Sequence, residues 1–283
     1  MKNPLEASIQ SAVKANHAIG DSIARLGTKE HPKGFVLSAF RAARRDLAYA
    51  LRAENAAQAA ADVLANLRAV LLGSLQREFE DMHAFGREEA SRQLTYYGFT
   101  VQDSMQLSPQ VQWAVDAALA KLDGQTVTIQ ALILTNAGEA QIIGDESRVG
   151  VLRATDVLAA GAFWAAQMVG AGFEYQLTKH GAADHGFQKQ VIAALDNHTT
   201  DCCLKAHAQI QPLSQSFKLT GEPRFADSLE WTPFHWYCRS SVALYLPQFD
   251  DGLTARMRAG ADQVILERSQ GIWQDRHPAD AYG

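Results

Sequence analysis

The chain of 283 residues is poor in several things, and each shortage excludes something. It has three cysteines, Cys202, Cys203 and Cys238, two of them adjacent. An odd, low count does not make a disulfide framework, so thiol chemistry here belongs to metal binding or packing in a reducing compartment. There is no excess of positive charge: 26 Lys and Arg stand against 31 Asp and Glu, for a net charge of -5, which excludes a general basic coat for nucleic acid. The nucleotide-binding Gly-rich signatures, the Gly-x-Ser-x-Gly nucleophile elbow and the His-Glu-x-x-His zinc-protease motif are all missing. The opening text MKNPLEASIQSAVKANHAIG lacks an apolar run, so no secretory signal is expected. The longest uncharged run, Val157 to Phe173, has 17 residues but is mostly Ala and Gly and contains Gln167. It reads as a buried helix with small, close-packed faces, and membrane insertion is not expected.

What remains is an ordinary globular composition, 47% hydrophobic and 20% charged, enough for a sizeable core. Residues 1–30 read as one or two helices, ended at His31-Pro32-Lys33-Gly34. From Phe35 to Tyr97 there is no proline, and Leu64, Leu67, Leu71, Leu75, Phe79 and Met82 step by three or four along one helical face, with Gly73 and Gly86 as points of bending or interruption. A further helix is expected over Ser108–Lys121. The β-branched text TVTIQALIL at 126–134, the turn signal Asn136-Ala137-Gly138 and a second short run at 140–143 predict a β-hairpin. Helix resumes from 151 to 177, an amphipathic run covers 187–195, and short strands are expected at 208–213, 217–219 and 241–246 before a last helix at 252–268. The fold class is therefore α+β: a helical region over 1–123, a mixed domain with β-hairpins over 124–250, and a C-terminal helix and tail over 251–283.

The chemistry concentrates in Cys203, His207, His235 and Cys238. Cys-x3-His and His-x2-Cys are each a short chelating turn, separated here by 27 residues. Thiolate and neutral imidazole are the ligands of tetrahedral Zn²⁺, and four protein ligands make a closed, structural site. Two other readings stand beside this one. The cysteines can be buried small apolar residues, with His235 packed among Phe234, Trp236 and Tyr237. Alternatively, Cys203 is a nucleophile with His207 as its base, four residues on. Elsewhere, Lys33, Arg41, Arg44, Arg45 and Arg52 form a local basic cluster. It reads as a solvated helix face or as a contact for DNA or an acidic partner. Glu78, Glu80, Asp81, His83, Glu88 and Glu89 lack the spacing of a di-metal helix site.

One stretch resembles a known family. ALDNHTTDCCLKAHAQIQPL followed by TPFHWYCRSSVAL resembles the phage head morphogenesis proteins of the Mu F-like minor capsid group, over roughly residues 145–247. In that group an Asp-x-x-Thr segment precedes a Cys or His. An Asp or His with a small residue, a hairpin and a proline-preceded His-x-x-Cys-Arg then follow. Asp196 and Thr199, Cys203, His207-Ala208, and Pro233, His235, Cys238 and Arg239 take those places, and Arg153, Thr155 and Asp156 echo the family's Arg-Thr-Glu helix. Many members carry cysteine where this chain has Thr200, and glycine where it has Ala208. His207, Cys202 or a water then completes a tetrad with Cys203, His235 and Cys238, and His207 is the expected fourth ligand.

The resemblance implies a minor virion component of a tailed phage or prophage, assembled in the host cytoplasm and carried in the capsid. Its implied partners are the portal protein and other head proteins, with possible contact to packaged double-stranded DNA and no enzymatic activity. It also implies a structural zinc, which would staple a small domain with little regular structure. Asp196 and Thr199 would cap the turn that presents Cys203, and Arg239 would pair with Asp196 or bind an anion. The alternatives are a metal-dependent nuclease with His198 or His207 as base, and a zinc-stapled interaction module in a host protein.

Overall fold

The computed structural model describes residues 3–28, 31–101, 109–135, 152–196, 198–223 and 225–271. Five long helices come first: α1 (Pro4–Leu26), α2 (Phe35–Ala50), α3 (Ala56–Tyr96), α4 (Pro109–Thr135) and α5 (Ala154–Lys179). A 3-10 turn at Ala182–His185 leads to strand β1 (Gln188–Ile192), the short helix α6 (Asp201–Ala206), β2 (Ile210–Pro212), β3 (Phe217–Lys218), β4 (Ser228–Leu229), β5 (Ser241–Tyr245), and a last helix α7 (Leu253–Ser269). The expected class holds: a helical N-terminal region and a small C-terminal sheet region.

The helices follow the apolar spacing. In α1, Leu5, Ile9, Ala12, Ile19 and Ile23 are buried; in α3, Leu64, Leu67, Leu71, Leu75, Phe79, Met82, Ala90 and Leu94 form the buried face. Gly86 does not interrupt α3. A Cβ there would lie 2.1 Å from the Val169 carbonyl oxygen, and one at Gly172 would lie 2.1 Å from that of His83. The Ala and Gly run of α5 is thus a surface cut to let two helix backbones touch, as its composition suggested. No helix among the described residues is long and apolar enough to cross a membrane.

The expected hairpin is corrected in its first strand: 126–134 belongs to α4. Pro109 opens this helix at a position where its missing N–H costs nothing, and Val111, Val115, Ala118, Leu119, Leu122 and Ile129 are buried along it. The β-branched threonines are accommodated by bonding back along the helix. The Thr126 hydroxyl donates to the Leu122 carbonyl at 3.2 Å and that of Thr128 to the Gly124 carbonyl at 3.1 Å. Among the described residues of this run only Ile129 is buried and Val127 is 65% exposed, so the helix is carried on from the buried face upstream at Val111–Leu122. The second expected strand, at 140–143, lies outside the described residues.

Two compact units emerge: residues 1–20, 81–106 and 165–283, and residues 21–80 and 107–164. The divisions expected near 123 and 250 follow chain order, whereas each unit is assembled from distant segments. Among its described residues, the regular structure of the second unit is helix. Its polar ties include Arg25 to Glu78 at 2.7 Å and Arg68 to Asp123 at 2.9 Å, and Trp113 packs edge-on against Trp164.

The first unit holds an antiparallel three-stranded sheet, β2-β1-β5, and a separate two-stranded ribbon, β3-β4. β1 and β5 are buried on both faces. Val191, Val242 and Leu244 point into a core with Cys202, Cys203, Phe217, Phe234 and Cys238. Ile192, Ala243 and Tyr245 point into another with Leu5, Ile9, Leu253 and Met257. The run 187–195 therefore supplies the central strand despite its polar text. Lys189 is fully buried, donating to the Leu213 carbonyl at 2.7 Å with its ammonium 4.3 Å from the Trp231 ring centre, and Gln190 donates to the Thr254 hydroxyl at 2.8 Å. The Lys189 ammonium and the Gln190 amide nitrogen thus each have a partner, which makes a central position tolerable. Burial pushes the Lys189 ammonium down to about 8, against the opposing pull of Glu230 and Glu174.

Candidate metal centre

The segment between β1 and α6 is a turn built by its own side chains. The Thr199 N–H donates to the Asp196 carbonyl, the Asp196 carboxylate accepts from the His198 N–H at 3.0 Å and from the Thr199 hydroxyl at 3.1 Å, and the Asp196 N–H donates back to that hydroxyl oxygen. Arg239, from the other end of the motif, pairs with the same carboxylate at 2.5 Å. Burial opposes ionisation of Asp196, but the Arg239 bond and charge, with the Thr199 and His198 bonds, hold it below the ordinary carboxylate range. Asp196 thus organises the turn before α6; the N-cap itself is Thr200. Two arginines of α7, which belong to no motif, pin both ends. Arg268 donates to the carbonyls of Asp196 and Thr199, and Arg258 to those of Leu204, Lys205 and His207.

This turn delivers Cys202 and Cys203 on the first turn of α6. Opposite them, His235-Trp236-Tyr237-Cys238 is a tight turn closed by the Cys238 N–H on the His235 carbonyl at 3.2 Å, with Tyr237 in the left-handed region at φ 59. The Cys203 sulfur lies 3.1 Å from His235 Nε2 and 3.7 Å from the Cys238 sulfur. Ligand atoms of Cys202, Cys203 and His235 all lie within 4.8 Å of one another, so this group can hold a metal ion. All four side chains are at most 5% exposed. The Thr200 hydroxyl also reaches the group, 2.8 Å from His235 Nε2 and 3.1 Å from the Cys202 sulfur.

The chemistry of the donors suits a metal. His235 Nδ1 lies 2.7 Å from the Trp236 carbonyl, which can only accept, so Nδ1 carries the proton and Nε2 presents its lone pair to the sulfurs. A ligating histidine is commonly fixed this way. The three thiols share protons unequally. A hydrogen bond from Cys203 brings Cys202 down to about 6. Burial alone would raise Cys238, but bonds from Cys203 and His235 hold it well below the thiol range. Cys203, donating to both neighbours and fully buried, is pushed well above it. His235 is penalised by burial yet raised by Cys238. Three sulfurs and an imidazole gathered in a dry pocket suit a divalent cation, whose binding would displace the remaining thiol protons.

Of the residues expected at the metal, Cys203, His235 and Cys238 converge and His207 does not. His207 is wholly buried, and its Nδ1 accepts the Ala193 N–H at 2.9 Å just beyond β1. Burial, with Arg258 nearby, pushes it down to about 3, so it is neutral and acts as a backbone acceptor. Cys202 fills the place in the cluster expected of His207. An i, i+4 pair needs a full helical turn to share a face, and α6 ends at Ala206. Ala208 follows in the left-handed region, at φ 63. Arg153, Thr155 and Asp156 lie at the start of α5, where the Arg153 backbone is bonded through both N–H and carbonyl to the Gln125 side chain. Compared with protein-family models, curated proteins and solved structures, the chain matches none.

Proposed function

We propose that this chain is a minor head protein of a tailed phage or prophage, acting near the portal during head assembly, and that a structural zinc staples its C-terminal fold through Cys202, Cys203, His235 and Cys238. The observation that supports the reading is convergence. Asp196, bonded to Thr199, meets Arg239, and Cys203 meets His235 and Cys238, although 32 to 43 residues separate these partners across the motif. These are the residues that carry the resemblance. Its departures also have a physical sense. Thr200, where many members have cysteine, puts its hydroxyl at the cluster, and the adjacent Cys202 offers the missing thiol. Ala208 has a backbone that favours glycine, the family's usual residue there. An Asp or His at position 207 is interchangeable as an acceptor for a backbone N–H.

Zinc is favoured over other metals because sulfur and imidazole donors select it, and a buried tetrad leaves no open position for water. That favours a staple over a nuclease. Elemental analysis of protein purified without chelator should give about one zinc per chain. Mass spectrometry of purified particles should find the chain in few copies, and deleting its gene should leave portal-bearing heads incomplete. A metal-free, fully folded protein overturns the staple; absence from particles, with normal heads after deletion, overturns the assembly role.

A further inference from the structure

The basic cluster singled out in the sequence is a continuous exposed stripe, unused by the reading above. Between 31 and 53 the chain carries Lys33, Arg41, Arg44, Arg45 and Arg52 against Asp46 alone, a net +4, so the rest of the chain carries -9. All five cations are exposed. α2 buries Val36, Phe40, Ala43, Leu47 and Ala50 and turns its arginines outward. Arg41, Arg45 and Tyr49 follow at four-residue steps. Helical hydrogen bonding continues past Ala50, with the Leu51 N–H on the Leu47 carbonyl and the Arg52 N–H on that of Tyr49, so Arg52 extends the same line. From Arg41 to Arg52 the stripe runs about 16 Å. Arg41 also donates to the Pro32 carbonyl at 2.6 Å, joining the stripe to a surface depression lined by Arg25, His31 and Lys33.

We propose that this face of α2 binds the phosphate backbone of double-stranded nucleic acid. Four of the five cations are arginine, whose planar fork matches phosphate oxygens. The helix buries Val36, Phe40, Ala43, Leu47 and Ala50 and sets one exposed large apolar side chain, Tyr49, among the exposed cations, so charge outweighs apolar area on this face. Asp46 stands off the line and pairs with Arg45 across an exposed 3.4 Å contact, worth little against a phosphate in water. The contact reads charge and spacing, not base sequence, so affinity is expected in the non-specific range of about 10⁻⁴ to 10⁻⁶ M. This deepens the head-protein reading by naming the polyanion. It is tested on the purified chain, so its failure leaves the zinc and particle tests standing.

The probe is a fluorescently labelled 25-base-pair duplex of mixed sequence, titrated with full-length protein from 50 to 200 mM NaCl. Contacts from Arg41, Arg44, Arg45 and Arg52 predict a log–log salt slope of about -3.6. The exposed triple variant Arg41→Gln, Arg45→Gln, Arg52→Gln should flatten it by about 2.7. A control, Lys14→Gln, Lys121→Gln, Lys218→Gln, removes the same charge from other exposed sites and should leave the slope unchanged. No binding at 50 mM salt, equal losses in both triples, or equally tight binding of a Glu-rich peptide of matched charge would each overturn the assignment.

Discussion

The long helices and the segment from Gln188 to Tyr245 are held by different physics. Along α3 the buried face is a row of apolar side chains from Leu64 to Leu94, each supported by neighbours on the same stripe. Stability there is spread over many contacts, and losing one is a graded event. Between β1 and β5 the strands are two to five residues long. Order comes instead from a few directed groups: Asp196 with Arg239, the arginines of α7 on backbone carbonyls, His207 on the Ala193 N–H, and three thiols around His235. Each of these has no substitute nearby. The helices should therefore tolerate conservative change, while the segment should fail by steps.

The largest effect should come from the proposed metal. Removing it with a chelator, or removing one ligand by Cys238→Ser, should unfold the segment while most helical signal persists, because a structural zinc site contributes about 10 kcal/mol or more of folding free energy. Cys202→Ser should be as damaging as Cys238→Ser. Cys202→Ser combined with Thr200→Cys should regain zinc, since the position-200 side chain already reaches His235. Zinc content and near-ultraviolet circular dichroism read this out. If chelation leaves the melting profile unchanged, the two regions do not differ in the way described.

Next is the one place where helices should be as unforgiving as the segment. Gly86→Ala and Gly172→Ala each force a Cβ to 2.1 Å from a backbone oxygen, and should cost about 3 kcal/mol or more. Gly73, exposed in the same helix α3 as Gly86 with nothing within 4 Å of an added Cβ, should gain about 1 kcal/mol on the same change. Denaturant midpoints for the three variants test the contrast. A harmless Gly86→Ala would remove the close backbone crossing.

How much could be read in advance follows the same divide. Periodicity carries α3 and the first part of α4 because their stability is the sum of a repeating pattern, and the Ala and Gly run of α5 announces close packing directly. The β-branched text misleads at 126–134, where it continues a helix whose buried face lies mostly upstream, from Val111 to Leu122. Periodicity is silent at β1, since Lys189 and Gln190 look solvent-facing until Leu213 and Thr254 satisfy them. At the metal centre, ligand chemistry and motif spacing point to Cys203, His235 and Cys238. The choice of Cys202 over His207 depends on where a six-residue helix stops, which spacing does not encode. Arg258 and Arg268 were invisible because an arginine that caps carbonyls has no signature apart from its fold.

Acid should then separate the regions more gently. His207 is held at about 3, against about 6.5 unfolded, so the unfolded chain binds the proton more readily between those values. Its contribution is complete above about pH 6.5 and is lost as pH falls toward 3, at up to about 1.4 kcal/mol per pH unit. His207→Asn, which retains an acceptor without a titrating ring, should flatten that slope. Stability measured from pH 7 to 4.5 in the untreated protein, wild type against variant, isolates the term, because protonation of the cysteine and His235 cluster is common to both. An unchanged slope in the variant would show that His207 is not the group being titrated.

The smallest effect sharpens the comparison most, because it asks whether a single backbone conformation matters within the segment. Ala208 lies at φ 63, a region that costs an L-residue about 1 to 2 kcal/mol. The strain is held by the bonds on either side, with the Ala208 N–H donating to the Val191 carbonyl at 2.8 Å and the Val191 N–H to that of Gln209 at 3.0 Å. Ala208→Gly removes the strain but gives the unfolded chain more freedom, which takes back about 0.4 to 1 kcal/mol. It also deletes a methyl group buried beside Ile192 and Ala243. The net should be a gain of a few tenths to about 1 kcal/mol, with zinc content unchanged. The same change at Ala90, fully buried within regular α3, should instead lose about 1 kcal/mol. Opposite signs for one substitution at two buried positions would mark the segment as a place where backbone geometry outweighs packing. A loss at both would mean that the methyl group beside Ile192 matters more than the left-handed turn that carries it.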